Sequence, residues 1–362
     1  MTDSRCLGQV IASLILCGLL LNGCARIGPK RIQAGSNDYN IAIQRTADEQ
    51  LLLNLVRLRY RDTPLFLEVT SVASQFRLQT DLGANATLRE RQTPEILGFD
   101  GGISFVEQPT VSYAPLQGND FVQRMLSPIA LETISLLFNS GWNAERIFRL
   151  CVNRINGVPN APTASGPTPS AAPEYETFNR IAELFGDLQR AGALRFGSVK
   201  DDEKSQPRIS INDDQRKSVA DELLSLLNLR RQETYQVKPT RSAGGKRIVH
   251  IETRSLLGIM FYLSHAVQVS ESDIARGLVT VTKRDDGSVF DWIEVTQGLF
   301  VAHQSSEVPK APVKTHYRGQ WFYLADDDLQ TKSTFSLISQ LFSLQASEGS
   351  TAGPLLTLPV GQ

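Results

Sequence analysis

The sequence carries almost no net charge. Its 362 residues include 37 lysines and arginines against 38 aspartates and glutamates, a formal charge of −1 at pH 7. Proteins that bind nucleic acid usually concentrate positive charge, so we expect no nucleic-acid partner. Aromatic residues make up only 7% of the chain, but 41% of the residues are hydrophobic. That is enough for a globular core, and it excludes a disordered chain.

Sequence motifs that identify a reaction are also missing. The chain contains no phosphate-binding G-x-x-x-x-G-K-[ST] loop, no G-x-S-x-G nucleophile elbow and no H-E-x-x-H zinc pair. We therefore predict no enzymatic activity, no cofactor and no metal site. The histidines are widely spaced, at His250, His265, His303 and His316. A hydrolase with a dispersed site is the least favoured alternative.

The N-terminal region has only a short apolar run. Val10–Leu21 is 12 residues long, whereas a membrane-spanning helix needs about 20. This length is typical of a signal-peptide core. The sequence Leu21-Asn22-Gly23-Cys24 that follows resembles the lipobox of bacterial lipoproteins. The resemblance implies cleavage after Gly23 and attachment of a diacylglyceryl lipid to Cys24.

The same resemblance implies a location. Gram-negative lipoproteins that stay in the inner membrane commonly carry aspartate after the modified cysteine, whereas this chain has Ala25. We therefore expect an outer-membrane lipoprotein, with its body on the periplasmic side and other envelope proteins as partners. Cys6 and Cys17 would leave with the signal peptide. Cys151 alone would remain as a thiol, buried in a helix by its apolar spacing, so no disulfide can form within one chain.

Composition divides the rest of the chain into segments. The expected order is a signal peptide at 1–23, a flexible tether at 24–38, an N-terminal α+β domain at 39–156, a linker at 157–173, a C-terminal α+β domain at 174–345 and a low-complexity tail at 346–362. Gly157–Pro173 contains five prolines, and such a composition is typical of an exposed linker. The predicted fold class is α+β, with helices interleaved with short, mainly antiparallel strands.

Local signals mark several boundaries. Thr46 and Glu49 fit a capping box and predict the start of the first helix, while Asp328 predicts the start of the last one, over Leu329–Leu344. A slip in the alternation of Leu65–Thr80 near Ser71 predicts a bent strand or two short ones. Pro109 is expected to break the next strand region.

An aromatic cluster lies at His316–Tyr323. On a strand, Trp321 and Tyr323 share one face, and Phe322 and Leu324 share the other. If the first face is exposed, Tyr317, Trp321 and Tyr323 form a candidate surface for stacking on sugar rings or on a partner protein. The alternative is that these aromatic residues pack against the last helix. We therefore predict a lipid-anchored envelope protein that acts in interaction or assembly, with a glycan- or lipid-binding module as the alternative.

Overall fold

The computed structural model describes residues 27–85, 98–167, 169, 171–201, 204–212, 216–239, 245–346 and 356–359. The predicted signal peptide, Gly23 and Cys24 lie outside this part of the chain. Its fold is α+β, with mostly antiparallel sheets, as the sequence predicts.

Helices and strands alternate along the chain. The helices are α1 (Ile27–Arg59), α2 (Asn119–Leu126), α3 (Leu131–Asn139), α4 (Ala144–Cys151), α5 (Glu176–Arg190), α6 (Lys217–Leu226), α7 (Leu256–Ser264), α8 (Glu271–Ala275), α9 (Ile293–Thr296) and α10 (Leu329–Ala346). The strands are β1 (Leu67–Asn85), β2 (Gly98–Pro115), β3 (Val152–Ile155), β4 (Val158–Pro159), β5 (Leu194–Asp201), β6 (Lys204–Ile211), β7 (Thr234–Lys238), β8 (Ile248–Thr253), β9 (His303–Ser305), β10 (Lys314–Tyr317), β11 (Gln320–Tyr323) and β12 (Leu356–Pro359).

A six-stranded sheet joins the two predicted domains. Its strand order is β4-β3-β8-β7-β6-β5, and only β7 and β8 run parallel. Strand β3 precedes the predicted linker, yet it pairs with β8 far along the chain, where Val152 lies opposite Thr253. One cluster of buried residues spans both halves. The two predicted domains therefore share one sheet and one core.

The prediction of an exposed linker is wrong for the segment that follows β3. Residue 158 begins β4, a 3-10 helix covers Pro162–Ser165, and the side chains of Asn160, Ala161 and Ala164 are fully buried. Proline, alanine and serine supply little apolar surface. Packing of this segment must therefore depend on hydrogen bonds to its own backbone groups and to those of neighbouring segments.

The buried side chain of Arg254 supplies such hydrogen bonds. The guanidinium of Arg254 donates to the carbonyl oxygens of Arg149, Leu150 and Val152 at 2.9–3.1 Å and also bonds to the carbonyl of Asn160. The carbonyls of Arg149, Leu150 and Val152 lie at and just beyond the C-terminus of α4, where helical carbonyls lack partners within the helix. Burial lowers the pKa of Arg254 to about 10, so the side chain remains charged at neutral pH and suits the negative end of the helix dipole.

The first helix starts earlier than its capping signal predicts. Thr46 lies inside α1 and does not cap it, because its hydroxyl donates to the carbonyl of Ala42 at 2.8 Å, a bond that Thr commonly makes within helices. The predicted flexible tether is thus helical from Ile27 onward. At 1.5 Å per residue, α1 measures about 50 Å. From residue 39 onward, where burial is described, the first buried side chain of α1 is that of Leu51.

Strands β1 and β2 form a long antiparallel ribbon. Its register shifts between Val69 and Ser71, which confirms the predicted slip. Pro109 does not break β2, and it pairs with Ser74 within the ribbon. Proline is tolerated in strands with an unpaired side, and β12, within the described residues, covers β2 only from Thr110 onward. The predicted low-complexity tail thus includes the strand β12.

The start of the last helix agrees with the prediction. Asp328 accepts hydrogen bonds from the backbone N–H groups of Gln330 and Thr331 at 3.1 and 3.0 Å. Burial opposes ionisation of this carboxyl, but these bonds and the one from the Thr331 hydroxyl outweigh it and lower the pKa of Asp328. The helix α10 then begins at Leu329, six residues after the end of β11.

Candidate functional site

The aromatic cluster lies on a three-stranded antiparallel sheet in the order β10-β11-β9. Arg318 and Gly319 form the turn between β10 and β11, with φ values of 50° and 80°, the combination of positive angles that a tight two-residue hairpin requires. This short turn fixes the register, so that His316 pairs with Trp321. On the other side of β11, His303 pairs with Tyr323.

The two faces of β11 differ in burial as the sequence predicts. Phe322 is fully buried and the following Leu324 is 2% exposed. Trp321 and Tyr323 are only half-buried. The alternation confirms the predicted division of aromatic side chains between the two faces. It also leaves an aromatic pair accessible, although the chain has few aromatic residues to place at its surface.

Two histidines flank this pair. The ring of His316 lies 5.0 Å from that of Trp321, and the ring of His303 lies 5.4 Å from that of Tyr323, measured between centroids. His303 Nδ1 is within hydrogen-bond distance, 3.2 Å, of the side-chain oxygen of Gln268. We call the surface formed by Trp321, Tyr323, His303 and His316 the aromatic face. Flat rings with hydrogen-bonding nitrogens at their border can stack on a sugar and bind its hydroxyl groups.

Tyr317 does not belong to the aromatic face, which corrects its assignment to the candidate surface. It lies next to His316 on β10 and therefore on the opposite side of the sheet. There its hydroxyl donates to Asp62 at 2.6 Å, and its ring lies 6.0 Å from that of Tyr60. The side chain joins the sheet to the end of α1.

Electrostatics strengthen this junction. Arg318 pairs with Asp62 at 2.8 Å, and its guanidinium lies 5.0 Å from the centre of the Tyr60 ring. Burial favours the protonated carboxyl of Asp62, but the hydrogen bonds from Tyr317 and Arg318 outweigh it and lower the pKa of Asp62. Burial, together with the bond to Asp62, raises the pKa of Tyr317. The arrangement holds the β10–β11 hairpin against α1, and we assign it a structural role.

An open cleft of about 750 Å³ borders the aromatic face at Tyr323 and Ser305. Its other walls carry Lys310 and three carboxylates, from Glu307, Asp326 and Asp327. The cleft places acceptors of hydrogen bonds beside a stacking surface. A larger cleft of about 910 Å³ lies between α1, α3 and α10, and none of the four residues of the aromatic face lines it.

The remaining titratable candidates lie away from the aromatic face. Cys151 is fully buried, as predicted, and burial raises the pKa of its thiol to about 12. His265 is also buried, with its ring stacked 4.7 Å from that of Trp292. Burial, with help from the Arg59 charge, lowers the pKa of His265 to about 4. Across the described ranges, no three His, Cys, Asp or Glu side chains are grouped as metal ligands.

Comparisons with models of known protein families, with curated proteins and with solved structures give no match. The site must therefore be interpreted from its own geometry. None of the helices in the described part of the chain has the length and apolar character that crossing a bilayer requires.

The sequence pattern missed that two histidines belong beside Trp321 and Tyr323. A signal was available for His316, because a two-residue turn at Arg318-Gly319 places residues 316 and 321 opposite each other. No local signal placed His303 next to Tyr323, since β9 is joined to β10 by a loop and its register depends on tertiary packing.

Proposed function

We propose that this chain is a lipid-anchored envelope protein that acts as an interaction or assembly component. In this proposal Cys24 carries the lipid, the outer membrane holds the protein, and the body lies on the periplasmic side, where it meets other envelope proteins. The lipobox-like sequence supports the anchor. Acyl chains supply the membrane affinity, at about 0.8 kcal/mol for each buried methylene.

One structural observation carries the proposal. Helix α1 begins at Ile27, three residues after Cys24, and continues without interruption to Arg59 in the core. The distance along this helix from Ile27 to Leu51, a buried core residue, is about 36 Å. A lipid on Cys24 would therefore be joined to the body by a helical stem, which holds the body at a defined distance from the bilayer.

The anchor is tested by mass spectrometry of the mature N-terminus together with membrane fractionation of the Cys24→Ser variant. We expect an acylated Cys24 as the first residue of the wild type and release of the variant from membranes. The matched control, Cys151→Ala, changes a buried thiol and should remain membrane-bound. An unmodified, uncut N-terminus, or full retention of Cys24→Ser in membranes, would contradict the proposal. Resistance of the body to protease added to intact cells tests the periplasmic side.

The half-exposed aromatic face favours a second candidate function, binding of an envelope glycan. Trp321 and Tyr323 offer stacking surfaces, and the adjacent cleft offers carboxylates and the Lys310 amine. Co-sedimentation of the Cys24→Ser chain with purified peptidoglycan tests this. Binding should be lost in the Trp321→Ala, Tyr323→Ala double variant and kept in Trp142→Phe, a half-buried tryptophan far from this sheet in the sequence. Equal binding by the double variant would exclude the aromatic face.

A further inference from the structure

The β1–β2 ribbon is unusually long for a hairpin. Its register runs from Leu67 opposite Pro115 to Asn85 opposite Gly98. At about 3.3 Å per residue the paired strands extend for about 60 Å. Typical strands in globular proteins contain 3–10 residues, so both strands of the ribbon are about twice the usual length.

Most of this ribbon has only two strands. In the described residues β12 pairs with β2 only over Thr110–Tyr113, and the principal contacts of β1 and β2 are with each other and with β12. A two-stranded hairpin is marginally stable in water, and independent stability requires at least a third strand or a packed helix. Among the described strands, the ribbon lacks a third strand over most of its length.

Both edges of the ribbon are open to further pairing. Among the described strands, β1 pairs with β2 alone, and β2 has no second neighbour from Gly98 to Pro109. Natural proteins protect exposed edges with lysine, proline or bulges. Neither strand contains lysine, and both Pro109 and the register shift at Val69 and Ser71 lie nearer the base, so residues 75–85 and 98–108 carry none of these three features. A long edge without such protection is a template for another strand.

Along the ribbon, pairs of apolar residues alternate with pairs of polar residues. One series of pairs is mainly apolar, and it includes Leu78 with Phe105, Thr80 with Ile103 and Ala84 with Phe99. The intervening series is mainly polar, and it includes Gln75 with Gln108, Gln79 with Ser104 and Asp81 with Gly102. Alternate positions of a strand belong to opposite faces, and such a pattern fixes the parity of the register. A partner strand with the same alternation can pair with an open edge while apolar residues stay on one face of the sheet and polar residues stay on the other.

We propose that the missing strand comes from a second copy of this chain, with β1 of one copy pairing with the open edge of β2 in the next. The two strands run in opposite directions, so copies arranged head to tail bring them together antiparallel. Each copy offers both a β1 edge and a β2 edge, and association can therefore continue from copy to copy. The inference rests on the assembly role proposed above, and it specifies the partner.

A shortened ribbon tests this proposal. Ser74 and Pro109 are opposite each other in the register, so residues 75–108 can be replaced by an Asn-Gly turn, which suits a two-residue hairpin. The mass of the mature chain is measured by light scattering and native mass spectrometry. Both chains carry Cys24→Ser, which makes the result independent of the lipid anchor. We expect the chain with the full ribbon to form oligomers and the shortened chain to be a monomer with unchanged circular dichroism of its body.

A second variant keeps the full ribbon. Gln75→Lys with Gln79→Lys adds edge charges to β1 and should weaken association by about tenfold or more, whereas the Trp321→Ala control should associate like the parent. A full-ribbon chain that stays monomeric at every concentration overturns the proposal, as does association that persists without residues 75–108. Binding of the monomeric chain to phospholipid vesicles through the ribbon would identify lipid as the occupant and would also overturn it.

Discussion

In two short regions of this protein, burial is the opposite of what amino-acid composition suggests. The segment from Asn160 to Ser165 consists of small and polar residues, yet Asn160, Ala161 and Ala164 are fully buried. Strand β11 is rich in aromatic residues, yet Trp321 and Tyr323 remain half-exposed. In the first region, burial is decided by hydrogen bonds from Arg254 to backbone carbonyls. In the second, it is decided by the strand period, which gives the core only every other side chain.

The largest loss of stability should follow from replacing Arg254, the buried cation that holds the segment from Asn160 to Ser165. Arg254→Met leaves buried carbonyls without their donor, and the expected loss of unfolding free energy is about 3–5 kcal/mol. Urea denaturation followed by circular dichroism measures it. Arg180→Met is the matched control, because Arg180 forms an exposed pair with Glu222, and exposed ion pairs contribute little to stability. Similar losses in both variants would show that Arg254 has no special role.

The two faces of β11 can be compared directly. Phe322→Ala removes a fully buried ring and should destabilise the protein by about 3–4 kcal/mol. Trp321→Ala removes a larger but only half-buried ring and should cost about 1 kcal/mol. The two midpoints of chemical denaturation provide the measurement. If Trp321→Ala proved the more costly change, the aromatic face would be part of the core and its proposed binding role would fail.

Lowering the pH should destabilise the folded protein through protonation of His265. The folded-state pKa of this histidine is lowered to about 4, below an unfolded value of about 6.5. The stability that depends on a neutral His265 is therefore fully present above pH 6.5 and is lost as the pH falls toward 4. The expected loss is about 2 kcal/mol at pH 5. Urea denaturation at several pH values should show this slope in the wild type and lose it in His265→Gln. The exposed His316→Gln control should keep the slope, and an unchanged slope in His265→Gln would contradict the assignment.

The smallest effect concerns the junction between the β10–β11 hairpin and α1. Tyr317→Phe removes the hydrogen bond to Asp62 and should cost about 1 kcal/mol, since Arg318 still pairs with that carboxylate. The pKa of Asp62, measured by NMR titration, should rise toward its ordinary value. Tyr323→Phe is the control, because it removes a hydroxyl from the aromatic face without touching Asp62. An unchanged pKa of Asp62 in Tyr317→Phe would show that the bond does not form.

The predictions that succeeded rest on local chemistry. The slip near Ser71, the cap at Asp328, the burial of Cys151 and the two faces of β11 all follow from side chains close in sequence. The failures depend on distant residues or on a competing local bond. The linker prediction failed because Arg254 lies 94 positions away from Asn160, the residue of the predicted linker whose carbonyl it binds. The capping prediction failed because the Thr46 hydroxyl bonds within a helix that begins earlier.

By itself, the sequence determined the α+β class, the alternation that buries Phe322 and leaves Trp321 accessible, and the lipobox-like signal on which the proposed anchor rests. Only the tertiary structure decided that the two halves share one sheet, that His303 joins the aromatic face, and that the β1–β2 ribbon has open edges. The physical reason is the range of the interactions involved. Strand period and helix caps act over a few residues, whereas sheet neighbours and buried hydrogen-bond partners are chosen from the whole chain.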